Sequence, residues 1–440
     1  MNMTDKDIEK KINVFPTKDF FIKIIVKDIQ LSDAILDLID NSIDSYIEND
    51  LKEMKEIKIK FSENEFIIED NCGGIKKEEI YEKVFRFGAQ KESKKRTIGI
   101  FGIGMKRAIF KLGKNILLES DDGENFYSVR IDEKWLKDPN NWKLDFETVG
   151  KTKGKPLTRI TITKLYPDIS EEFKRTTFEN ELMERIKSSY CIFIEDKVKI
   201  NVNNTFIEPY DFEFLYDKDK FLPFHKKYLI NGIEVEIYAG YTPPEKKFHD
   251  VYGWYVFCND RLIIQNDTTP NRTGWGGKKG KFYHYPEDKR FLGLVFFRSD
   301  DPMKLPWHTT KEDIQMDSKI YLWTQVEMRA ITNILVNFIR RVNRIINPKT
   351  EEKIGKSIFK DVVTKRRKNI EDNLEGKVPL IEGKEIIETY IPQVSYIQYV
   401  VKTSLLNKIK QKLGRPYMSN KEAGEKTFKY FADMEEIKDE

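Results

Sequence analysis

Between Leu31 and Gly113 three short blocks follow one another: an acidic helical segment around Asp37 and Asn41, a glycine turn entered through Asp70, and a glycine-rich loop at Gly99–Gly104. Their succession within one stretch points to a nucleotide pocket. In the first block Leu31, Ala34, Ile35, Leu38, Ile39, Ile43, Tyr46 and Ile47 recur at helical spacing, with Ser32 expected as the N-cap. The opposite face carries Asp33, Asp37, Asp40, Asn41 and Asp44. Asp37 and Asn41 stand one turn apart on that face. An amide oxygen there can ligate a hard Mg²⁺ that bridges phosphates, while the carboxylate orients and deprotonates a water. The competing reading is a solvated acidic face of an amphipathic helix.

The segments EIKIK (56–60) and EFIIE (65–69) alternate as two strands of a hairpin. The second runs into Asp70-Asn71-Cys72-Gly73-Gly74, where the glycines permit turn conformations and close approach to a ligand. A carboxylate at a strand end can accept a hydrogen bond from an exocyclic amine such as that of adenine. The alternative is a plain turn closed by an Asx bond. In the third block Gly99-Ile100-Phe101-Gly102-Ile103-Gly104-Met105-Lys106 leads into an apolar helix with Ala108, Ile109 and Leu112. Backbone amides at such a helix start cradle anions, and Lys106 adds a point charge. The Walker and Rossmann spacings are both absent.

The 440 residues suffice for two or three domains. Net charge is only +4, from 77 basic and 73 acidic residues, so any nucleic-acid surface must be local. Cys72, Cys191 and Cys258 show no ligand spacing and are expected to be reduced thiols of a cytoplasmic protein. The charged start MNMTDKDIEKK has no signal-peptide apolar core, and no run of about 18 apolar residues calls for a membrane. Residues 116–165 read as strands, most clearly Arg159–Thr163, and 175–190 as helix. Residues 192–345 read as a second α+β unit with strands at 198–202, 233–239, 252–258 and 293–298, closed by a helix from about 318 to 346 before Asn347-Pro348. The remainder, 349–440, is charged and expected to be mostly helical.

DLIDNSID, DNCGGI and GIFGIGMK together resemble the three motifs of the GHKL ATPases, a superfamily that includes type II topoisomerases, the large heat-shock chaperone, histidine kinases and MutL mismatch-repair proteins. LIDNSID, Phe87–Lys91 and GIGMKRA–LG are most similar to the microrchidia (MORC) type. The resemblance covers about residues 20–165. It implies an α+β chain: a Bergerat-fold ATP-binding α/β sandwich (1–165), a transducer-like α+β domain (166–346) and a helical C-terminal region (347–440). It further implies that Asn41 ligates Mg²⁺, Asp70 reads the adenine amine, and Gly99, Gly102, Gly104 and Lys106 form the lid over the phosphates of ATP. Gly74, Lys91, Ile103 and Met105 line the same pocket. Thr158 resembles the fourth-motif threonine, with Thr161 and Thr163 as competitors. Two departures stand out. Asp37 replaces the usual Glu base, which implies slow hydrolysis or help from Asp40 or Asp44. Cys72 stands where a first glycine is usual.

Gly253–Ile263 looks like the strand–turn–strand of a transducer domain, and Leu305–Lys311 resembles the loop whose Lys311 reaches the γ-phosphate. His308, His225, His249 and His284 share no ligand spacing and are expected to be structural or surface residues. Arg272–Lys281, Lys365–Lys368 and the cluster Lys408, Lys410, Lys412 and Arg415 are local basic stretches, suited to DNA phosphates or simply solvated. The resemblance implies an ATPase that dimerises with nucleotide as a clamp, on DNA in genome maintenance or defence; the C-terminal segment shows no nuclease, metal or nucleophile constellation, so any effector activity is expected on another subunit. The alternatives are a chaperone-like remodelling ATPase, a histidine-type kinase and a non-hydrolysing ATP sensor.

Overall fold

Two helices and a hairpin begin the fold: α1 (Lys18–Lys27), α2 (Leu31–Glu48), β1 (Lys55–Phe61) and β2 (Glu65–Asp70). The computed structural model describes residues 17–87, 95–99, 102–139, 141–152, 154–243, 252–275, 290–345, 362–378, 380–382, 385–387 and 400–435. The periodicity of 31–47 is realised in α2, whose Ala34, Ile35, Leu38, Ile39 and Ile43 are buried. Each fully buried isoleucine stabilises by roughly 1.5–3 kcal/mol relative to exposure. Ser32 is not the cap. Gln30 holds that position without a side-chain bond, and Ser32 Oγ instead accepts from Arg185.

After β2 come a short turn of helix, α3 (Lys77–Glu79), continuing as a π turn (Ile80–Val84), then α4 (Gly104–Leu112), β3 (Gly113–Asp121), β4 (Asn125–Ile131), α5 (Glu133–Lys137), β5 (Phe146–Lys151) and β6 (Leu157–Leu165). Helices α6 (Pro167–Phe173), α7 (Thr176–Ser189) and α8 (Cys191–Asp196) lead to β7 (Val198–Val202) and β8 (Thr205–Phe206). These strands form one mixed sheet, ordered β5-β4-β3-β6-β2-β1-β7-β8. Phe66, Ile68, Ile116, Leu118, Ile160 and Ile162 alternate onto the helix-covered face. Strand 198–202, read from sequence as part of the second unit, pairs parallel with β1 here. A parallel neighbour needs a long crossover, which α6–α8 supply, and Val198, Ile200 and Val202 are buried in the same core.

The second sheet runs β10 (Phe224–Ile230), β11 (Ile233–Tyr241), β14 (Phe291–Arg298), β12 (Gly253–Cys258), β13 (Arg261–Asp267). Strands β12 and β14 are buried on both faces, as their continuous apolar runs require. One face meets α10 (Lys319–Ile345), where Trp254 Nε1 donates to Thr332 Oγ1 (2.9 Å) and Tyr241 OH to Leu335 O (2.7 Å). The other face packs Tyr255, Phe257 and Phe296 with Cys191 and Phe212. A one-turn helix, α9 (Pro270–Thr273), follows β13.

Residues 362–378 hold no α-helix, only a 3₁₀ turn at Arg367–Asn369. Val363–Arg366 form β15, antiparallel to β9 (Glu213–Tyr216), where they satisfy a backbone edge that would otherwise face water. The described residues 400–435 belong to a separate compact unit and carry helices Thr403–Lys412 and Asn420–Met434, tied by Lys410 Nζ to Asn420 Oδ1 (2.6 Å).

A methyl group on Gly293, at the centre of the second sheet, would lie 2.3 Å from the Trp254 ring. Gly293→Ala is therefore expected to destabilise the protein by about 1–3 kcal/mol through overpacking, read as a lower denaturant midpoint.

Candidate functional site

The acidic face of α2 is not solvated: Asp33, Asp37, Asp40 and Asp44 are all buried. Each carboxylate is consumed by a specific partner. Asp33 Oδ1 accepts from Arg185. Asp37 Oδ2 accepts from Arg107 Nε at 2.5 Å, and its Oδ1 lies 3.7 Å from Lys311 Nζ. Asp44 accepts the backbone amides of Ile98 (2.6 Å) and Gly99 (2.7 Å). Asp40 has the densest shell: Lys311 Nζ at 2.7 Å on Oδ2, with Arg261 Nε at 3.1 Å and the Tyr190 hydroxyl at 2.7 Å on Oδ1.

Burial pushes the Asp40 carboxyl up, but the Lys311 and Arg261 charges outweigh it and hold it below the usual carboxylate range. Burial likewise lowers Lys311, and Asp40 and Asp37 more than offset that, so the ammonium stays protonated. Lys311, 271 residues beyond Asp40 in sequence, thus reaches the helix that carries Asp37 and Asn41. Its loop is closed by pairing of Trp307 with Ile314 and by the Lys311 N–H to His308 O (2.9 Å), and Lys311 itself adopts φ +60°, uncommon for a residue with a side chain. Asn41 is exposed beside this cluster. Its Nδ2 donates to Asp37 O (2.7 Å), an orientation in which the amide oxygen could ligate a hard cation.

Asp70 ends β2 with Oδ2 accepting from Ser42 Oγ (2.7 Å) and Oδ1 from Cys72 N (2.9 Å). Burial pushes its carboxyl up despite these bonds. The register sets Thr158 opposite Asp70 on β6, on the face that also carries Ile160 and Ile162. Thr161 and Thr163 alternate to the other face, away from Asp70. Gly73 and Gly74 take φ +116° and +71°. A methyl group on Gly74 would fall 1.9 Å from Asp121 O, so the turn requires glycine there. Ser120 Oγ accepts from Ile75 N (2.9 Å) and anchors the turn to β3.

Gly99 and Gly104 approach α2 as closely as a glycine allows. A methyl on Gly99 would sit 2.7 Å from Asp44 Oδ2, and one on Gly104 3.2 Å from Asp37 Cγ. Gly102 turns the chain with φ +58°, and Ile103 precedes α4. Lys106 is buried, donates to Gly102 O and lies 5.5 Å from the Phe87 ring, with burial lowering its pKa to about 8. Met105 packs against the core. Lys91 lies outside the described residues, as do Ile100 and Phe101.

Sequence reading missed Arg107, Arg261, Tyr190, Ser42 and Ser120. Of these, Ser42, Arg107 and Arg261 sit inside motif stretches, while Tyr190 and Ser120 arrive through tertiary folding. His308 is exposed, and His225 is buried between Glu236 Oε1 (2.9 Å) and Glu371 O (2.7 Å), a structural arrangement. The basic stretch Lys365–Lys368 is neutralised: Lys365 pairs with Glu371, Arg366 with Asp211, Arg367 with Glu195, and Lys368 with Glu195 and Asp196. Arg272 pairs with Asp313 (2.5 Å) and Asp267 (3.3 Å), while 276–281 lie outside the described residues. The three cysteines are free and buried. Among the described residues no helix is long and apolar enough to cross a membrane.

A neutral-edge reader at Asp70, close-approach glycines around α2, an outward amide at Asn41 and a cation at Lys311 form a donor set that fits an adenine nucleotide with Mg²⁺. Residues 29–160 match the family model described as histidine kinase-, DNA gyrase B-, and HSP90-like ATPase. An uncharacterized protein of Mycoplasma pneumoniae is 33% identical over 124 residues, covering 27% of this chain and 49% of that protein. The chain thus spans about half the length of that relative.

Because burial raises the Asp70 pKa, its ionisation opposes folding: the stability it contributes is full below the unfolded carboxylate pKa and is lost as pH rises through the folded one. Asp70→Asn can keep both bonds, with Oδ1 accepting from Cys72 N and Nδ2 donating to Ser42. The variant is expected to melt at or above the wild-type temperature at pH 7, with the advantage shrinking toward acid pH, and to lose adenine nucleotide binding by calorimetry.

Proposed function

We propose that this chain, whose residues 29–160 belong to the GHKL superfamily of ATPases, is an Mg-ATP-gated dimerising switch that acts as a clamp. The observation that carries this reading is Lys311, which projects from the loop beyond the second sheet and lies buried within 2.7 Å of Asp40 and 3.7 Å of Asp37. A cation in that place can sense the terminal phosphate of the nucleotide and so bind the second sheet to the nucleotide helix only while the triphosphate is intact.

In this reading Asp70, oriented by Ser42 and backed by Thr158, accepts the adenine amine. The segment Gly99–Lys106 closes over the phosphates, with Gly102, Ile103, Gly104 and Met105 presenting backbone. Asn41 holds Mg²⁺, which supplies charge neutralisation to the phosphates when bound. Asp37 orients the attacking water through Oδ1, and Lys311 stabilises charge developing on the γ-phosphate. The shorter aspartate and its bond to Arg107 both weaken Asp37 as a base, so turnover is slow. That same bond favours a second reading, an ATP sensor that cycles by binding and release. DNA as the clamped client follows from the microrchidia-type resemblance and draws support from Lys408 and Lys412 rather than from the neutralised 365–368 stretch. A DNA clamp loses affinity steeply with salt, whereas a protein client does not impose that slope.

Light scattering on the full chain is expected to show a monomer-to-dimer shift with Mg²⁺ and a non-hydrolysable ATP analogue, absent in Asn41→Ala. An unchanged mass with nucleotide bound contradicts the clamp and leaves the sensor.

A further inference from the structure

Strands β12 and β13 are joined through Asn259 and Asp260, whose φ values of +46° and +65° suit a tight two-residue hairpin turn. This turn sends three consecutive side chains across to other elements. Asn259 Nδ2 donates to Thr97 O (2.8 Å), at the root of the lid segment. Asp260 bridges Arg298 (2.7 Å) and Lys197 (3.3 Å). Arg261 reaches Asp40 Oδ1.

Asp40 therefore carries a cation on each oxygen, and the two cations differ in freedom. Arg261 is fixed: its guanidinium lies 4.7 Å from the Tyr190 ring, Nη1 donates to Leu262 O (3.1 Å), and it belongs to a sheet strand. Lys311 sits on a loop, on a flexible stem, between two carboxylates.

We propose that Arg261 is a positioning residue, the permanent counter-ion of Asp40 that allows Lys311 to exchange Asp40 for the terminal phosphate of a bound nucleoside triphosphate. This rests on the reading of Lys311 as the phosphate sensor. A buried carboxylate stripped of its only cation is strongly disfavoured. With Lys311 as its sole partner, Asp40 would hold the lysine against the nucleotide. With Arg261 and Tyr190 on Oδ1, Asp40 stays compensated when Lys311 leaves Oδ2. The planar, always-charged guanidinium suits the fixed place, and the single-point ammonium suits the mobile one.

The test is calorimetric titration of the full chain with Mg²⁺ and either a non-hydrolysable ATP analogue or ADP. Wild type is expected to prefer the triphosphate, and Lys311→Ala to lose that preference. Arg261→Gln is expected to reduce it about tenfold, within the usual range of coupling between sites, with ADP affinity kept. Arg261→Lys retains the preference, and the double variant Asp40→Asn/Arg261→Gln regains it, because no carboxylate then detains Lys311. Equal weakening for both nucleotides without rescue by Asp40→Asn marks Arg261 as merely structural and overturns the proposal. If Lys311→Ala abolishes the preference while Arg261→Gln leaves it intact, the Arg261 role alone fails. A wild type without preference, or a Lys311→Ala variant that keeps it, overturns the sensor reading and the Arg261 role together. If Arg261→Gln does not fold by circular dichroism, the double variant decides: a wild-type preference supports the proposal and a lost one overturns it.

Discussion

The buried carboxylate of Asp40 is the point on which the two sheets depend. It lies in the middle of α2, yet it is compensated by Arg261 from β13, Lys311 from the loop after β14 and Tyr190 from the end of α7. Ion pairs of this kind add little net stability, because desolvation offsets the attraction, but breaking one side leaves a charge that the interior does not tolerate. Their effect is on arrangement: the second sheet has one seat against α2 that satisfies all four groups. In the proposed reading a nucleotide phosphate near Lys311 competes for the same cation, which would couple nucleotide binding to the seat of the second sheet through a few atoms.

Around that point the nucleotide side is built by close approach. Gly99 and Gly104 bring backbone to within contact of Asp44 and Asp37, and Gly74 passes Asp121 O where no side chain fits. Asp44 then spends both oxygens on Ile98 and Gly99 amides, so the root of the lid is held by the same helix that carries Asn41. Thr97, one residue earlier, is held by Asn259. The segment 97–99 is therefore gripped from both sides, by α2 and by the hairpin turn of the second sheet.

Much of this was legible in the sequence, and what was not has physical reasons. The period of α2, the 56–60 and 65–69 hairpin and the glycine turn are local, and they appear where expected. Periodicity could not say whether the acidic face of α2 was wet, because burial of Asp33, Asp37 and Asp40 depends on arginines and a lysine from other elements, and that of Asp44 on the backbone amides of Ile98 and Gly99. Strand parity separates the threonine alternatives in space: Thr158 lies opposite Asp70 and shares a face with Ile160, while Thr161 and Thr163 do not. The place of β7 in the first sheet was hidden because parallel pairing joins residues far apart in the chain. Ser32 looked like a cap by type, but Gln30 precedes the first turn. The 365–368 cluster looked like a phosphate surface until its acidic partners on other elements were in view.

The most direct test of the coupling at Asp40 is amide hydrogen exchange across the loop 305–314 and the segment 97–99, followed with ADP and with a non-hydrolysable ATP analogue, each with Mg²⁺. If Lys311 moves from Asp40 to the terminal phosphate, exchange in both segments changes with the triphosphate and stays at its unliganded value with ADP. Identical exchange in the two complexes, with both nucleotides bound, would contradict a switch at this carboxylate.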